Sequence, residues 1–130
     1  MLMRTSVLLV GDNDDDAELI ARALGRFKRI DFELTRVTSI HSAHQKLRDT
    51  TFDAILVDLG LPGSDGLAAF TAIHAHANGA AVIVLTGDDR EELGLRAVER
   101  GAQEYVVKGE RAYQSLPLTL AFACERQRHH

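Results

Sequence analysis

The sequence predicts an α/β fold, a five-stranded parallel sheet with helices on both faces. Three observations predict it. Short apolar segments of strand length alternate along the chain with segments of helical periodicity. Most of these strand segments are continuously apolar, which is typical of parallel strands covered on both faces. The composition, with 45% hydrophobic and 26% charged residues among 130, is that of an ordinary globular chain and predicts one domain over residues 1–130.

Five segments are predicted as strands. Four of them are continuous apolar runs: "SVLLVG" (6–11), "FDAILVDL" (52–59), "AAVIVLTG" (80–87) and "EYVVK" (104–108). The fifth, "DFELTRVT" (31–38), is second in chain order and alternates less cleanly, so we expect it to be more exposed.

Five helices are predicted between and after these strands, because apolar residues recur there at helical spacing. The stripes are Ala17, Ile20, Ala23, Leu24 and Phe27; Ile40, Ala43 and Leu47; Leu67, Phe70, Ile73 and Ala77; Leu93, Ala97 and Val98; and Leu116, Leu120, Ala123 and Cys124. The fourth helix is expected to stop at Gly101. The last is expected to begin near Ser115, with Pro117 in its first turn.

Composition excludes several classes of function. The net charge of −4 gives no basic footprint for direct nucleic-acid binding. A single cysteine, Cys124, excludes an internal disulfide framework. The N-terminal apolar run is too short for a signal or membrane-spanning segment, so we expect a cytoplasmic protein without membrane contact.

Aspartates gather where the first strand gives way to the first helix, at Asp12, Asp14, Asp15 and Asp16. We expect the last three to serve the helix, since acidic side chains near a helix N-terminus are favoured by its dipole. Asp15 and Glu18 have the spacing of a capping box. Asp12 is left for chemistry.

The residues at the predicted strand ends indicate what that chemistry is. Asp12, Asp58, Thr86 and Lys108 each follow or end a strand, and ligand sites of parallel sheets gather at the carboxyl ends of strands. Two carboxylates, a hydroxyl and an ammonium group suit Mg²⁺ beside a phosphoryl group. A carboxylate can also attack phosphorus and form an acyl phosphate.

With these residues in order, the sequence resembles the receiver domain of bacterial two-component response regulators over nearly its full length. The motifs that carry the resemblance are "LLVGDN" (8–13), "DAILVDLGLPGSDGL" (53–67), "VIVLTG" (82–87) and "GAQEYVVKG" (101–109). The resemblance implies a flavodoxin-like, doubly wound (βα)5 fold. It implies a signalling switch that catalyses only its own phosphotransfer and dephosphorylation, rather than an enzyme acting on other substrates.

The resemblance also implies a role for each site residue. Asp58 would be the phosphoacceptor and, with Asp12 and the backbone carbonyl of Gly60, a Mg²⁺ ligand. Thr86 and Lys108 would bind the phosphoryl oxygens, and Thr86 with Tyr105 would form the switch. Residues 61–66 would form the turn between the third strand and the third helix.

The same resemblance implies partners. A histidine kinase or phosphotransfer protein would donate the phosphoryl group, and a downstream output domain or protein would read the altered surface. The last helix carries Leu118 and Phe122 on a second face, which predicts that it either pairs two receivers or continues into an output domain.

Other functions of such a sheet fit the residues less well. A calcium loop would need Gly and a bidentate Glu where Ala17 and Ala23 stand. A flavodoxin-like FMN site would have a glycine- and hydroxyl-rich loop after the first strand, in place of carboxylates. A haloacid-dehalogenase-type phosphatase would need a second aspartate at the position of Gly60.

One rival is kept, a degenerate receiver that acts as an interaction module without phosphorylation. It is kept because the chain departs from the family pattern at two glycines. Gly11 replaces the first residue of the usual acidic pair, which should weaken Mg²⁺ binding. Gly109 stands where a proline commonly follows the lysine, often in a cis bond, and bears on the geometry of that loop.

Overall fold

The computed structural model describes residues 3–62 and 66–129, which form one five-stranded parallel sheet in the order β2-β1-β3-β4-β5. The strands are β1 (Met3–Val10), β2 (Ile30–Val37), β3 (Ala54–Asp58), β4 (Ala81–Thr86) and β5 (Glu104–Val107). The helices are α1 (Asp14–Arg26), α2 (Ile40–Asp49), α3 (Leu67–His74), α4 (Glu91–Glu99), α5 (Glu110–Gln114) and α6 (Leu116–Arg128). A 3₁₀ turn, Asp88–Arg90, precedes α4. All four strand pairings are parallel, so the predicted fold class is confirmed.

The sheet separates two apolar layers. Alternate residues of β1 point to opposite sides, Val7 and Leu9 into one layer and Leu8 and Val10 into the other. The first layer is completed by α1, α5 and α6, and the second by α2, α3 and α4. Strands β3 and β4 are buried along their whole length, whereas β2 buries only Val37, as its broken alternation predicted.

The start of α1 differs from the predicted capping box. The N-cap is Asn13, whose Oδ1 accepts a hydrogen bond of 2.9 Å from the backbone N–H of Asp16. Asp15 therefore lies two residues too late to be the cap, and Glu18 instead pairs with Arg22. The placement of Asp14, Asp15 and Asp16 in the first turn is confirmed.

Three of the predicted stripe residues lie elsewhere than expected. Phe27 caps α1 and packs at 6.4 Å from the ring of Phe32. Ala77 is buried, but α3 has already ended at His74. Val98 is 39% exposed because α4 turns Gly94 and Ala97 to the sheet.

The connection after β5 contains a helix that the sequence did not predict. Gly109 precedes the short helix α5 and has a φ of 149°. Residues with a side chain rarely adopt this backbone conformation. The helix α6 then begins at Leu116 with Pro117 in its first turn, as predicted. Of the predicted turn 61–66, residues 63–65 lie outside the described part of the chain.

Replacing the observed cap gives a test of the start of α1. Asn13→Ala should lower the free energy of unfolding by about 1 kcal/mol, because the N–H of Asp16 loses its acceptor. Asn13→Asp should keep most of the stability, since aspartate caps nearly as well. Urea unfolding in Mg²⁺-free buffer measures both. Glu18→Ala removes the acceptor that a capping box would need and is the control, and a loss there as large as in Asn13→Ala would favour the capping box instead.

Candidate functional site

The predicted site residues meet at the carboxyl end of the sheet. Asp58 is the last residue of β3, Thr86 is the last of β4, and Lys108 directly follows β5. Asp12 lies in the loop between β1 and α1. Because β3 lies between β1 and β4, Asp58 is at the centre of this edge.

The Asp58 carboxylate is buried and compensated. Its side chain is 5% exposed, at the end of a strand with no exposed residue. Oδ2 accepts a hydrogen bond of 2.9 Å from Lys108 Nζ, and Oδ1 accepts one of 2.8 Å from the backbone N–H of Gly60. A buried carboxylate needs such partners, since burying an unpaired charge is costly. The site therefore places the two carboxylate oxygens of Asp58 next to the ammonium group of Lys108.

Gly60 lies close to the Asp58 carboxylate and to Lys108. A Cβ there would lie 3.2 Å from Asp58 Oδ1 and 3.6 Å from Lys108 Nζ. The first distance is tighter than an ordinary contact, so a side chain would crowd the carboxylate. The backbone of residue 60 can thus stand directly against Asp58.

An acidic residue at position 11, where the family pattern has one and this chain has Gly11, would also have faced Asp58. A Cβ on Gly11 would lie 3.4 Å from Asp58 Cβ and 3.8 Å from Oδ2, which is ordinary van der Waals contact. Arg36 holds this segment from β2, since its Nε donates to the Gly11 carbonyl at 3.1 Å. Its Nη1 lies 2.8 Å from Asp14 Oδ1. The β1–α1 loop is therefore fixed by a side-chain cation.

The donors present fit Mg²⁺. The predicted ligands are the carboxylates of Asp12 and Asp58 and the Gly60 carbonyl, all hard oxygen donors. Among the described residues no three His, Cys, Asp or Glu side chains form a metal-holding group. Two carboxylates and a carbonyl still suit Mg²⁺, because this ion keeps several waters. Asp12 is exposed to solvent, which leaves room for them.

Thr86 and Tyr105 face the start of α4. The hydroxyl of Thr86 donates to the Arg90 carbonyl at 2.9 Å, although the residue itself is buried beside the site. The Tyr105 hydroxyl donates to Glu91 Oε1 at 3.2 Å, and this hydrogen bond with the Glu91 charge raises the pKa of Tyr105. A Cβ on Gly94 would lie 2.7 Å from the Tyr105 ring, so the ring rests on this glycine.

Two further residues that the sequence did not assign to the site lie next to it, Asp16 in contact with Lys108 and Tyr113 in contact with Asp16. Asp16 Oδ2 lies 3.8 Å from Lys108 Nζ, and Asp16 Oδ1 accepts a hydrogen bond of 2.9 Å from the Tyr113 hydroxyl. Tyr113 is 1% exposed, and burial raises its pKa well above the usual range. One sequence signal could have pointed to Tyr113, which is a polar aromatic residue soon after Lys108.

No helix within residues 3–62 and 66–129 combines the length and the apolar character that a membrane span requires.

Comparison with known proteins agrees with this geometry. The family model described as "Response regulator receiver domain" matches residues 7–116. The swarming motility regulation protein RssB of Serratia marcescens is 34% identical over 79% of this chain and 46% of its own length. The transcriptional regulatory protein KdpE of Staphylococcus aureus is 30% identical over 82% of this chain and 44% of its own length. The chain thus spans less than half of these relatives.

Solved structures share the fold. NtrX from Brucella abortus superposes with a TM-score of 0.83 and 26% identity, over 97% of this chain and 28% of that one. The receiver domain of the Francisella response regulator 1452 superposes with a TM-score of 0.76 and 18% identity, over 94% and 98% of the two chains.

Proposed function

The chain belongs to the response regulator receiver domain family of two-component systems, and we propose that it accepts a phosphoryl group on Asp58 with the help of Mg²⁺. The observation that carries the proposal is the buried Asp58 carboxylate, paired with Lys108 at the end of the central strand. A histidine kinase or phosphotransfer protein would be the donor, and the cytoplasm the compartment.

Each residue of the site has a separate role in the proposed phosphoryl transfer. An Asp58 carboxylate oxygen attacks phosphorus, an O–P bond forms, and the bond from phosphorus to the donor breaks with its electron pair leaving on the donor. Lys108 offsets the charge of the transferring oxygens. Asp12, Asp58 and the Gly60 carbonyl would hold Mg²⁺, which when bound neutralises charge on those oxygens. Only the chain's own phosphorylation and its reversal are catalysed.

Partner contacts extend this proposal. The helix α6 exposes Leu118 by 49% and Phe122 by 60%, one turn apart. We propose that this face pairs two receivers or packs on an output domain, since the matched relatives are more than twice as long as the matched segment. The acidic net charge argues against direct nucleic-acid binding by these residues, and we propose no membrane contact.

The acceptor assignment is tested by labelling with a small phosphodonor. Asp58→Asn should abolish the phosphoryl adduct that intact mass detects with acetyl phosphate and Mg²⁺, because an amide oxygen is too weak a nucleophile. Asp89→Asn, an exposed aspartate of the 3₁₀ turn, is the matched control and should label like the wild type. Labelling of Asp58→Asn at the wild-type rate would reject the assignment.

The effect of Gly11 on Mg²⁺ affinity is tested by placing an acidic residue at position 11. Gly11→Asp and Gly11→Glu should raise Mg²⁺ affinity about threefold to tenfold, through the added negative charge near the ion. Titration of amide shifts with Mg²⁺ measures the affinity. Gly11→Ala adds the Cβ without charge, fits by ordinary contact and should give no gain. If neither wild type nor acid variants bind Mg²⁺ and Asp58 stays unlabelled, the degenerate receiver describes the chain.

The proposed coupling between Thr86 and Tyr105 runs through hydrogen bonds at the start of α4. A phosphoryl oxygen that takes the Thr86 hydroxyl removes its hydrogen bond to the Arg90 carbonyl, at the entry to α4. Glu91, the next residue, is the acceptor for Tyr105. We therefore propose that phosphorylation frees the start of α4 and with it the Tyr105 ring.

Removing that hydroxyl tests the path. Thr86→Ala should still accept the phosphoryl group but should weaken the chemical-shift change of Tyr105 on phosphorylation or on beryllofluoride binding. Thr86→Ser keeps the hydroxyl and is the matched control, expected to respond like the wild type. An undiminished Tyr105 response in Thr86→Ala would contradict the coupling.

A further inference from the structure

Lys108 lies between two carboxylates. Its Nζ donates to Asp58 Oδ2 at 2.9 Å and stands 3.8 Å from Asp16 Oδ2. The second distance is an ion-pair distance but is too long for a hydrogen bond. An ammonium–carboxylate pair in direct contact would close to about 2.8 Å. Asp16 is therefore near enough to compete for Lys108, but is held short of it.

Tyr113 supplies the restraint. Its hydroxyl donates to Asp16 Oδ1 at 2.9 Å and joins the start of α1 to α5. The ring is buried with 1% exposure, so its position is fixed by packing. Burial and the neighbouring Asp16 charge raise the pKa of Tyr113, so the hydroxyl keeps its proton and stays a donor.

Helix α1 fixes Asp16 from the other side. The backbone N–H of Asp16 donates to Asn13 Oδ1, which sets the residue in the first turn. Its side chain is 21% exposed, whereas the neighbouring Asp15 points to solvent. Only Asp16 of the three first-turn aspartates lies within ion-pair distance of Lys108 among the described residues.

We propose that Asp16 competes with Asp58 for Lys108, and that the Tyr113 hydroxyl limits this competition by holding the Asp16 carboxylate away. The inference rests on the proposed function, in which Lys108 stabilises the charge of the incoming phosphoryl group. Asp16 and Tyr113 are positioning residues, since both act through Lys108. The readiness of Lys108 for the reaction is then set by a contact between α1 and α5.

The two residues have opposite effects under this proposal. Asp16→Asn removes the competing charge, so Lys108 serves Asp58 alone and phosphorylation by acetyl phosphate should become about threefold to tenfold faster. Tyr113→Phe frees the carboxylate to close on Lys108, so phosphorylation should become slower by a similar factor. A merely structural role of both residues would shift both rates in the same direction.

The experiment measures these rate constants at saturating Mg²⁺ and determines Mg²⁺-free crystal structures of the same proteins. In Tyr113→Phe the distance from Asp16 to Lys108 Nζ should shorten from 3.8 Å to about 2.8 Å. The double variant Asp16→Asn/Tyr113→Phe should react at the rate of Asp16→Asn, because Tyr113 acts only through Asp16. Asp15→Asn removes an equal charge from the same helical turn and should leave the rate within about twofold of the wild type.

The outcomes separate the two proposals. A wild type that labels on Asp58, with Asp16→Asn no faster or Tyr113→Phe no slower, overturns the competition and leaves the proposed function standing. A wild type that never labels overturns the proposed function, and the Tyr113→Phe structure still decides the restraint. An unchanged Asp16–Lys108 distance in that structure overturns it.

Discussion

The arrangement of this molecule depends on one buried charge, the carboxylate at the end of β3. Strand β3 has no exposed residue, so Asp58 cannot be satisfied by water along the strand. Its partners are the Gly60 N–H, two residues on, and Lys108, which follows β5. Since β4 lies between β3 and β5, the ion pair spans the end of β4 and joins the centre of the sheet to its edge. The requirement therefore ties the loops after β3 and β5 to each other at the site.

Each loop at that edge uses its polar groups for local structure as well as for the site. Thr86 binds the Arg90 carbonyl and so defines the turn into α4, while Asp16 anchors the buried hydroxyl of Tyr113. A new charge on Asp58 would compete for groups that already hold α1, α4 and α5 in place. In a sheet whose strands are rigidly packed, such competition is expressed in the loops and helices rather than in the strands. That makes the site suited to signalling.

The sequence predicted what depends on short-range pattern. Continuous apolar runs identified the buried strands, and the parallel topology then placed Asp58 and Lys108 at one edge. It placed the cap of α1 two residues too late, because Asn13 and Asp15 are both good caps. Val98 lies on the exposed side of α4 because Gly94, which stands close to Tyr105, and Ala97 face the sheet. The contact of Asp16 with Tyr113 joins residues 97 positions apart, which no local pattern encodes.

Arg36 explains why glycine at position 11 leaves the site intact. In the family pattern an acid there supports the metal, and its loss would also unsettle the loop if the loop depended on that metal. Here Arg36 donates to the Gly11 carbonyl and pairs with Asp14, so a side chain of β2 holds the loop. We therefore expect the missing carboxylate to lower metal affinity without disturbing the loop. A glycine there also lowers like-charge repulsion around Asp58, which Lys108 pairs at 2.9 Å.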